Sequence, residues 1–289
     1  MDWTSPAPAK LNLCLNITGR RTDGYHDLIS LAAFTEFGDE VCVSDHRSPG
    51  LRITGPFSAA LQNSIEDNLI LKAQQAVLAA GFTLRDHHIE LNKHIPVSSG
   101  LGGGSSDVAA YLRCVAKMEN LSPAEQEKLF AAGAAVGADV PVCLRPGYQI
   151  MRGTGTDVNA TTIAEKRVFC VLANPGVPVS TQAVFAALDK DMTDSGIRKS
   201  PFSQPLHLAD VMARGNDLYA PAVRACPEIA ILLDQMRNLS VPEMFVGMAM
   251  SGSGASCFAL TEQHKAAEVL AQQLEAAGYW AVSTCLITN

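Results

Sequence analysis

Four glycines within twelve residues mark the stretch with the plainest chemistry. Residues 96–107 read Pro-Val-Ser-Ser-Gly-Leu-Gly-Gly-Gly-Ser-Ser-Asp. Glycine reaches positive φ and lets a backbone come close to a ligand. The run at 108–118 contains no Gly or Pro and reads as a buried helix starting near Ser105. Upstream, Ile89, Leu91 and Ile95 share one face of an alternating segment, which reads as a strand. Strand, glycine loop and helix start together present backbone N–H groups and a positive helix end to an anion. The anion that suits such a loop is a phosphate chain. A Walker loop would need Gly-Lys-Ser/Thr where this one has Gly-Ser-Ser-Asp, and Ser105 stands where the Rossmann fingerprint has its third glycine. A flexible Gly/Ser turn is the plain alternative. It weighs less, because a linker does not normally feed straight into so apolar a helix.

Three other places carry side chains suited to a reaction. At residues 8–17, Leu11, Leu13, Leu15 and Ile17 alternate with Lys10, Asn12, Cys14 and Asn16. As a strand this puts Lys10 and Asn12 on one face, where such a pair is ordinarily just solvated. Tyr25-His26 follows a turn-rich loop, Gly-Arg-Arg-Thr-Asp-Gly at 19–24. By composition alone it is a packed aromatic beside a surface histidine. Asp139 lies in Gly-Ala-Asp-Val-Pro, where the proline is expected to end a helix and begin an extended segment. An acid at such a corner either caps local backbone or faces a cleft as a partly buried carboxylate.

The rest of the chain must position these groups. Its 289 residues suit one large or two modest domains, and 47% hydrophobic with 18% charged residues is the composition of a soluble globular protein. No run reaches the length of a membrane span, and the first residues lack a signal-peptide pattern, so a cytoplasmic protein is expected. A net charge of −7 without a polybasic block speaks against a general nucleic-acid or membrane binder. The eight cysteines are spread without metal or redox spacing and read as buried reduced thiols.

Further strands are expected at 29–37, 41–44 and 51–54, and a helix at 69–80 opened by Asp67-Asn68. Ser122-Pro123-Ala124-Glu125 is a capping box that opens a helix to about Ala135. A soft boundary near 157 gives domains 1–157 and 158–289. The second half offers strands at 168–173, 245–250, 255–260 and 280–287, with a helix at 262–277, as in a split βαβ sandwich. The polar segment 189–205 reads as a surface loop.

The order of these pieces resembles the GHMP small-molecule kinases, whose three motifs match 8–13, 96–107 and 250–255. The resemblance spans nearly the whole chain. Gly-Arg-Arg-Thr-Asp-Gly-Tyr-His-Asp-Leu at 19–28, Asp-Asn-Leu-Ile at 67–70, the triple glycine at 102–104 and Asn216-Asp217-Leu218 are most similar to the branch that acts on diphosphocytidyl-methylerythritol. The resemblance implies an α+β, two-domain fold: an N-terminal ribosomal-protein-S5-domain-2-like domain for nucleotide and catalysis, a C-terminal ferredoxin-like domain, and a cleft between them. It implies transfer of the ATP γ-phosphoryl to a hydroxyl, with Asp139 as base or orienter and Lys10 as its partner. The loop residues Val97, Ser98, Ser99, Gly100, Leu101, Gly102, Gly103, Gly104, Ser105, Ser106 and Asp107, with Asn68 and Lys93, would meet ATP. Asn12 would stand near the transferred group, and Tyr25, His26 and Phe185 would hold the cytosine end. Mg²⁺ would come with ATP, Ser106 being the protein hydroxyl offered to it. A monomer or weak homodimer, with no nucleic-acid or membrane partner, completes the implication. The loop opens Val-Ser-Ser-Gly where many relatives have more glycine, and Gly153-Thr154-Gly155-Thr156 lacks the acid that often ends that turn.

Rival readings are another GHMP kinase, for mevalonate, homoserine or a sugar, which would have no use for Tyr25-His26. A non-catalytic binder on the same fold should have lost Lys10 or Asp139. An RNA-binding module fits poorly with the acidic balance.

Overall fold

The computed structural model of the protein describes residues 1–191, 202 and 204–288. The chain forms two compact units. One comprises Met1–Ala9, Gly38–Val97 and Gly102–Arg145; the other comprises Lys10–Phe37, Ser98–Leu101 and Pro146–Asn289. The division therefore does not follow the single cut near 157 expected from turn content. The reason is two 19-residue strands, β1 (Asp2–Arg20) and β2 (His26–Ser44), each of which belongs partly to each unit. The sequence expectation split β2 into two pieces at Gly38. The strand runs straight through, because the glycine there serves close approach: an added Cβ would lie 2.4 Å from the Ala7 carbonyl oxygen.

In the first unit, the end of β2 pairs antiparallel with β4 (His88–Asn92), and β3 (Gly50–Thr54) lies parallel to β4. Helices α1 (Leu69–Ala79), α2 (Gly103–Met118), α3 (Pro123–Ala134) and the single turn α4 (Val140–Cys143) complete it. Val41, Val43, Ile89 and Leu91 from the strands pack in one core cluster with Ile70, Val77, Val108, Tyr111 and Val115 from α1 and α2. Helix α2 buries most of its surface, as its unbroken apolar sequence requires. Residues 140–143 are helical rather than extended. Pro141 stands in the first turn, where its missing N–H costs nothing.

In the second unit, the start of β2 pairs antiparallel with β5 (Gln149–Gly153), which pairs with β6 (Asp157–Ala160). A second sheet has the order β10 (Trp280–Cys285), β7 (Phe169–Asn174), β9 (Cys257–Thr261), β8 (Gly247–Met250), antiparallel throughout. Helices α5 (Thr181–Asp191), α6 (Leu208–Ala213), α7 (Tyr219–Ala225) and α8 (Glu228–Leu239) intervene between β7 and β8, and α9 (His264–Ala276) between β9 and β10. This is the expected split βαβ topology. Its core joins Val171, Ala173, Leu232, Met236, Ala259, Leu270 and Leu274. Of the segment expected as a loop at 189–205, residues 189–191 close α5, and 192–201 and 203 lie outside the described residues. All eight cysteines are reduced thiols, seven of them buried. Among the described residues no helix is long and apolar enough to cross a membrane.

Candidate active site

Helix α2 starts open. Its N-cap is Gly102, at φ +64°, with no side-chain cap and no acid in the first turn. A left-handed N-cap is cheap only for glycine. The N–H groups of Gly103, Gly104 and Ser105 precede the first intrahelical acceptor, and Ser106 N is the first to bond back, to Gly102 O at 2.9 Å. A Cβ added at Gly137 would lie 3.6 Å from Ser105 Oγ, so this hydroxyl lies beside the corner that leads to Asp139. Asp139, half-buried, is the N-cap of α4 at φ −87°, ψ −5°, and its side chain makes no capping bond there.

Two of the residues expected near the nucleotide, Ser106 and Lys93, have buried side chains. Ser106 is fully buried and its hydroxyl donates to the Pro8 carbonyl at 2.6 Å. Lys93 Nζ donates to Asp107 Oδ2 at 2.9 Å and to Asp39 Oδ2, and all three side chains are at most 5% exposed. Asp39 Oδ1 also accepts the Ile95 N–H at 2.8 Å and the His94 N–H, so it fixes the chain that leads into the glycine loop. One lysine cannot neutralise two buried carboxylates. Burial pushes the Asp107 carboxyl up to about 7; Lys93 opposes the rise and Asp39 adds to it. Burial pulls the Lys93 ammonium down, but the two carboxylates outweigh it and its net shift is upward. Asp107 Oδ1 is buried without a hydrogen-bond partner among the described residues. Asp39 thus links the Lys93–Asp107 pair to the backbone that leads into the glycine loop. Asn68 accepts the Ile70 N–H at 2.9 Å and caps α1.

The second unit gathers another set. Lys10 and Asn12, expected on a solvated face, are both 3% exposed. Lys10 Nζ donates to Asn12 Oδ1 at 3.0 Å, and Asn12 Nδ2 donates to Ser30 Oγ at 2.9 Å. Ser251 Oγ donates to Gly100 O at 3.0 Å and accepts from Asn12 N at 3.3 Å. The loop stretch 98–101 is tied down further by Lys10 N to Leu101 O at 2.8 Å and Ser256 N to Ser99 O at 2.9 Å. Asn216 Nδ2 donates to the carbonyls of Met250 and Gly252, bracing the Ser-Gly-Ser-Gly turn. Ser30, Ser251 and Asn216 were not among the expected site residues. The Asn216-Asp217-Leu218 and 250–255 matches pointed at Asn216 and Ser251, whereas Ser30 carried no signal, because its bond to Asn12 joins two strands and leaves no local pattern. Ser98 is exposed at φ +53°, and Val97 is half-buried.

At the far end of β1 and the start of β2, Tyr25 is 65% exposed while His26 is buried. The His26 ring centroid lies 5.2 Å from that of Phe185, at 31°. Its Nε2 meets Asp189 Oδ1 at 2.8 Å, and Asp189 Oδ2 meets Arg20 at 3.3 Å. Among the described residues no group of three or more His, Cys, Asp or Glu side chains is arranged to hold a metal.

The chain matches known families along nearly its whole length. Residues 68–147 match the GHMP kinases N terminal domain, and residues 202–279 match the GHMP kinases C terminal domain. The fold and the open glycine-started helix thus define a GHMP kinase. A 4-diphosphocytidyl-2-C-methyl-D-erythritol kinase of Granulibacter bethesdensis is 42% identical over 93% of this chain and 89% of its own length. One from Methylorubrum extorquens is 38% identical over 98% of both. A crystal structure of 4-(cytidine 5'-diphospho)-2C-methyl-D-erythritol kinase aligns at TM-score 0.76 and 33% identity, covering 99% of this chain and all of the other. L. major mevalonate kinase, at TM-score 0.67 and 15% identity, shares the fold. The chain belongs to the 4-diphosphocytidyl-2-C-methyl-D-erythritol kinase family.

Proposed function

We propose that the chain is an ATP-dependent kinase that phosphorylates the 2-hydroxyl of 4-diphosphocytidyl-2-C-methyl-D-erythritol, an isoprenoid precursor. The observation that carries this reading is family membership along nearly the full length, together with an α2 start that offers uncapped N–H groups to an anion. Mg²⁺ would come with ATP and would offset charge on its phosphate oxygens. Backbone N–H groups of 102–105 and the Ser105 hydroxyl cradle the phosphates. Phosphoryl transfer passes through a loose transition state, so the protein contributes chiefly positioning and charge stabilisation. Asp139 takes or orients the hydroxyl proton, and Lys10 is its partner and stabilises developing charge. Asn12, held between Lys10 and Ser30, stands beside the transferred group. Tyr25 and Phe185 offer flat faces for the cytosine, and His26 bonds its edge.

The test is ATP consumption by purified protein with diphosphocytidyl-methylerythritol, mevalonate, homoserine or galactose. Turnover with the first alone is expected. Turnover with another and none with the first removes the substrate assignment. Asp139→Asn is expected to cost about 10²–10⁴-fold in kcat, the usual worth of general-base help, while ATP still binds. A near-normal rate takes Asp139 out of the mechanism.

A further inference from the structure

His26 is fixed by one helix. Phe185 and Asp189 stand four residues apart on α5 and so share a face. The first packs on the imidazole and the second bonds its Nε2 at 2.8 Å. Only 5% of the His26 side chain is exposed, so the ring has little room to turn over. A carboxylate accepts and does not donate, and this one already lies between the imidazole and the Arg20 guanidinium. The proton must therefore sit on Nε2. In a neutral imidazole the other nitrogen, Nδ1, is then a lone-pair acceptor. Among the described residues Nδ1 makes no hydrogen bond, whereas Nε2 is committed. The ring thus keeps one acceptor in reserve for a donor from elsewhere.

Cytosine and uracil differ at just such a group. Cytosine carries an exocyclic amine that donates; the pyrimidine with a carbonyl at that position can only accept. We propose that Asp189 is a positioning residue that determines base specificity. By holding the Nε2 proton of His26 it presents Nδ1 as an acceptor, which selects a cytosine amine over a uracil carbonyl in the diphospho-nucleoside substrate. This rests on the reading that His26 meets the base and adds the residue that makes it discriminate. Arg20 supports the same carboxylate from the end of β1.

The experiment uses the full chain with the cytidine substrate and its uridine analogue, and ¹⁵N NMR of the His26 ring. Wild type is expected to prefer the cytidine substrate by roughly tenfold or more in kcat/KM, since the wrong base leaves a buried acceptor unpaired. Its ring should show the Nε2–H tautomer. Asp189→Ala should raise KM for the cytidine substrate about tenfold with kcat within about twofold, bring the base preference towards unity and mix the tautomers. Asp189→Asn, whose amide oxygen still accepts, should recover most of the preference. If Asp189→Ala keeps both the preference and the tautomer, or if wild type shows the Nδ1–H form, the inference is overturned. Equal turnover of both bases by wild type overturns it as well and leaves the kinase reading intact. No turnover of any diphosphocytidyl alcohol removes that reading and the inference together.

Discussion

Helices α2 and α3 lie in the same unit and begin in opposite ways. Helix α3 is closed by a reciprocal capping box, in which the Glu125 carboxylate accepts the Ser122 N–H at 2.9 Å. Helix α1 is closed more simply, by Asn68. Helix α2 starts from a left-handed glycine, with glycine at its first two positions and Ser105 at the third, where α3 has its glutamate. The orphan N–H groups of a helix start need an acceptor from somewhere. In α1 and α3 the chain supplies one. In α2 it withholds one, and spends buried charge instead on holding the start in place, through Lys93, Asp39 and Asp107. A closed end is a structural solution, whereas an open end held from behind is one that leaves the acceptor to a ligand.

The comparison can be broken by exchanging the two solutions. Ser105→Glu places an acid at the position Glu125 occupies in α3, facing the N–H groups proposed to hold phosphate. Like charge set against like charge costs several kcal/mol, so kcat/KM for ATP should fall about 10²-fold or more. The urea midpoint should hold or rise, because the acid favours the helix start. Steady-state kinetics and urea unfolding of one preparation decide it: loss of stability with retained ATP affinity would sink the equivalence.

Next in size is the support behind the open start. The Asp107 carboxyl is raised to about 7 in the fold, against an ordinary value near 3.8. A raised acid binds its proton more tightly in the native state. Between about pH 4 and pH 7 the native form therefore holds more protons than the unfolded one, and stability falls as pH rises through that window. Asp107→Asn removes this slope, while leaving Lys93 paired with Asp39. Urea midpoints at pH 5 and pH 8 should be closer together in the variant than in wild type; an unchanged difference assigns the slope elsewhere.

The smallest effect is expected at the closed start. Ser122→Ala should cost about 1 kcal/mol of stability, the usual worth of a serine N-cap, with kcat and KM unchanged. A change in ATP affinity instead would show that α3, too, reaches the nucleotide.

Much of this was legible along the chain because it depends on neighbours in sequence. The alternation at 8–17, the apolar run of α2, the capping box of α3 and the glycines before α2 are all local patterns, and each became the element it implied. Local signals misled where a residue acts on distant backbone. Gly38 looked like a break between strands and is a point of close contact with Ala7. Pro141 looked like a helix terminator and begins a turn of helix. The compact units share β1 and β2 because the two strands that cross between them are continuous in sequence.

The sequence by itself determined the class of chemistry. Glycine spacing before an apolar helix is a demand of backbone geometry that neighbours in the chain must meet, and it points to an anion; the step from there to a kinase rests on the resemblance carried by the order of the motifs. Only the tertiary structure decided which polar groups are available. It set Ser106 on Pro8 and Lys93 between Asp39 and Asp107, tied Asn12 to Ser30 and Ser251, and set Asp189 against His26. These partners are separated by 14 to 239 residues. A hydrogen bond is satisfied by whatever lies within about 3 Å of it, and what lies that close is settled by packing, which the order of residues does not spell out.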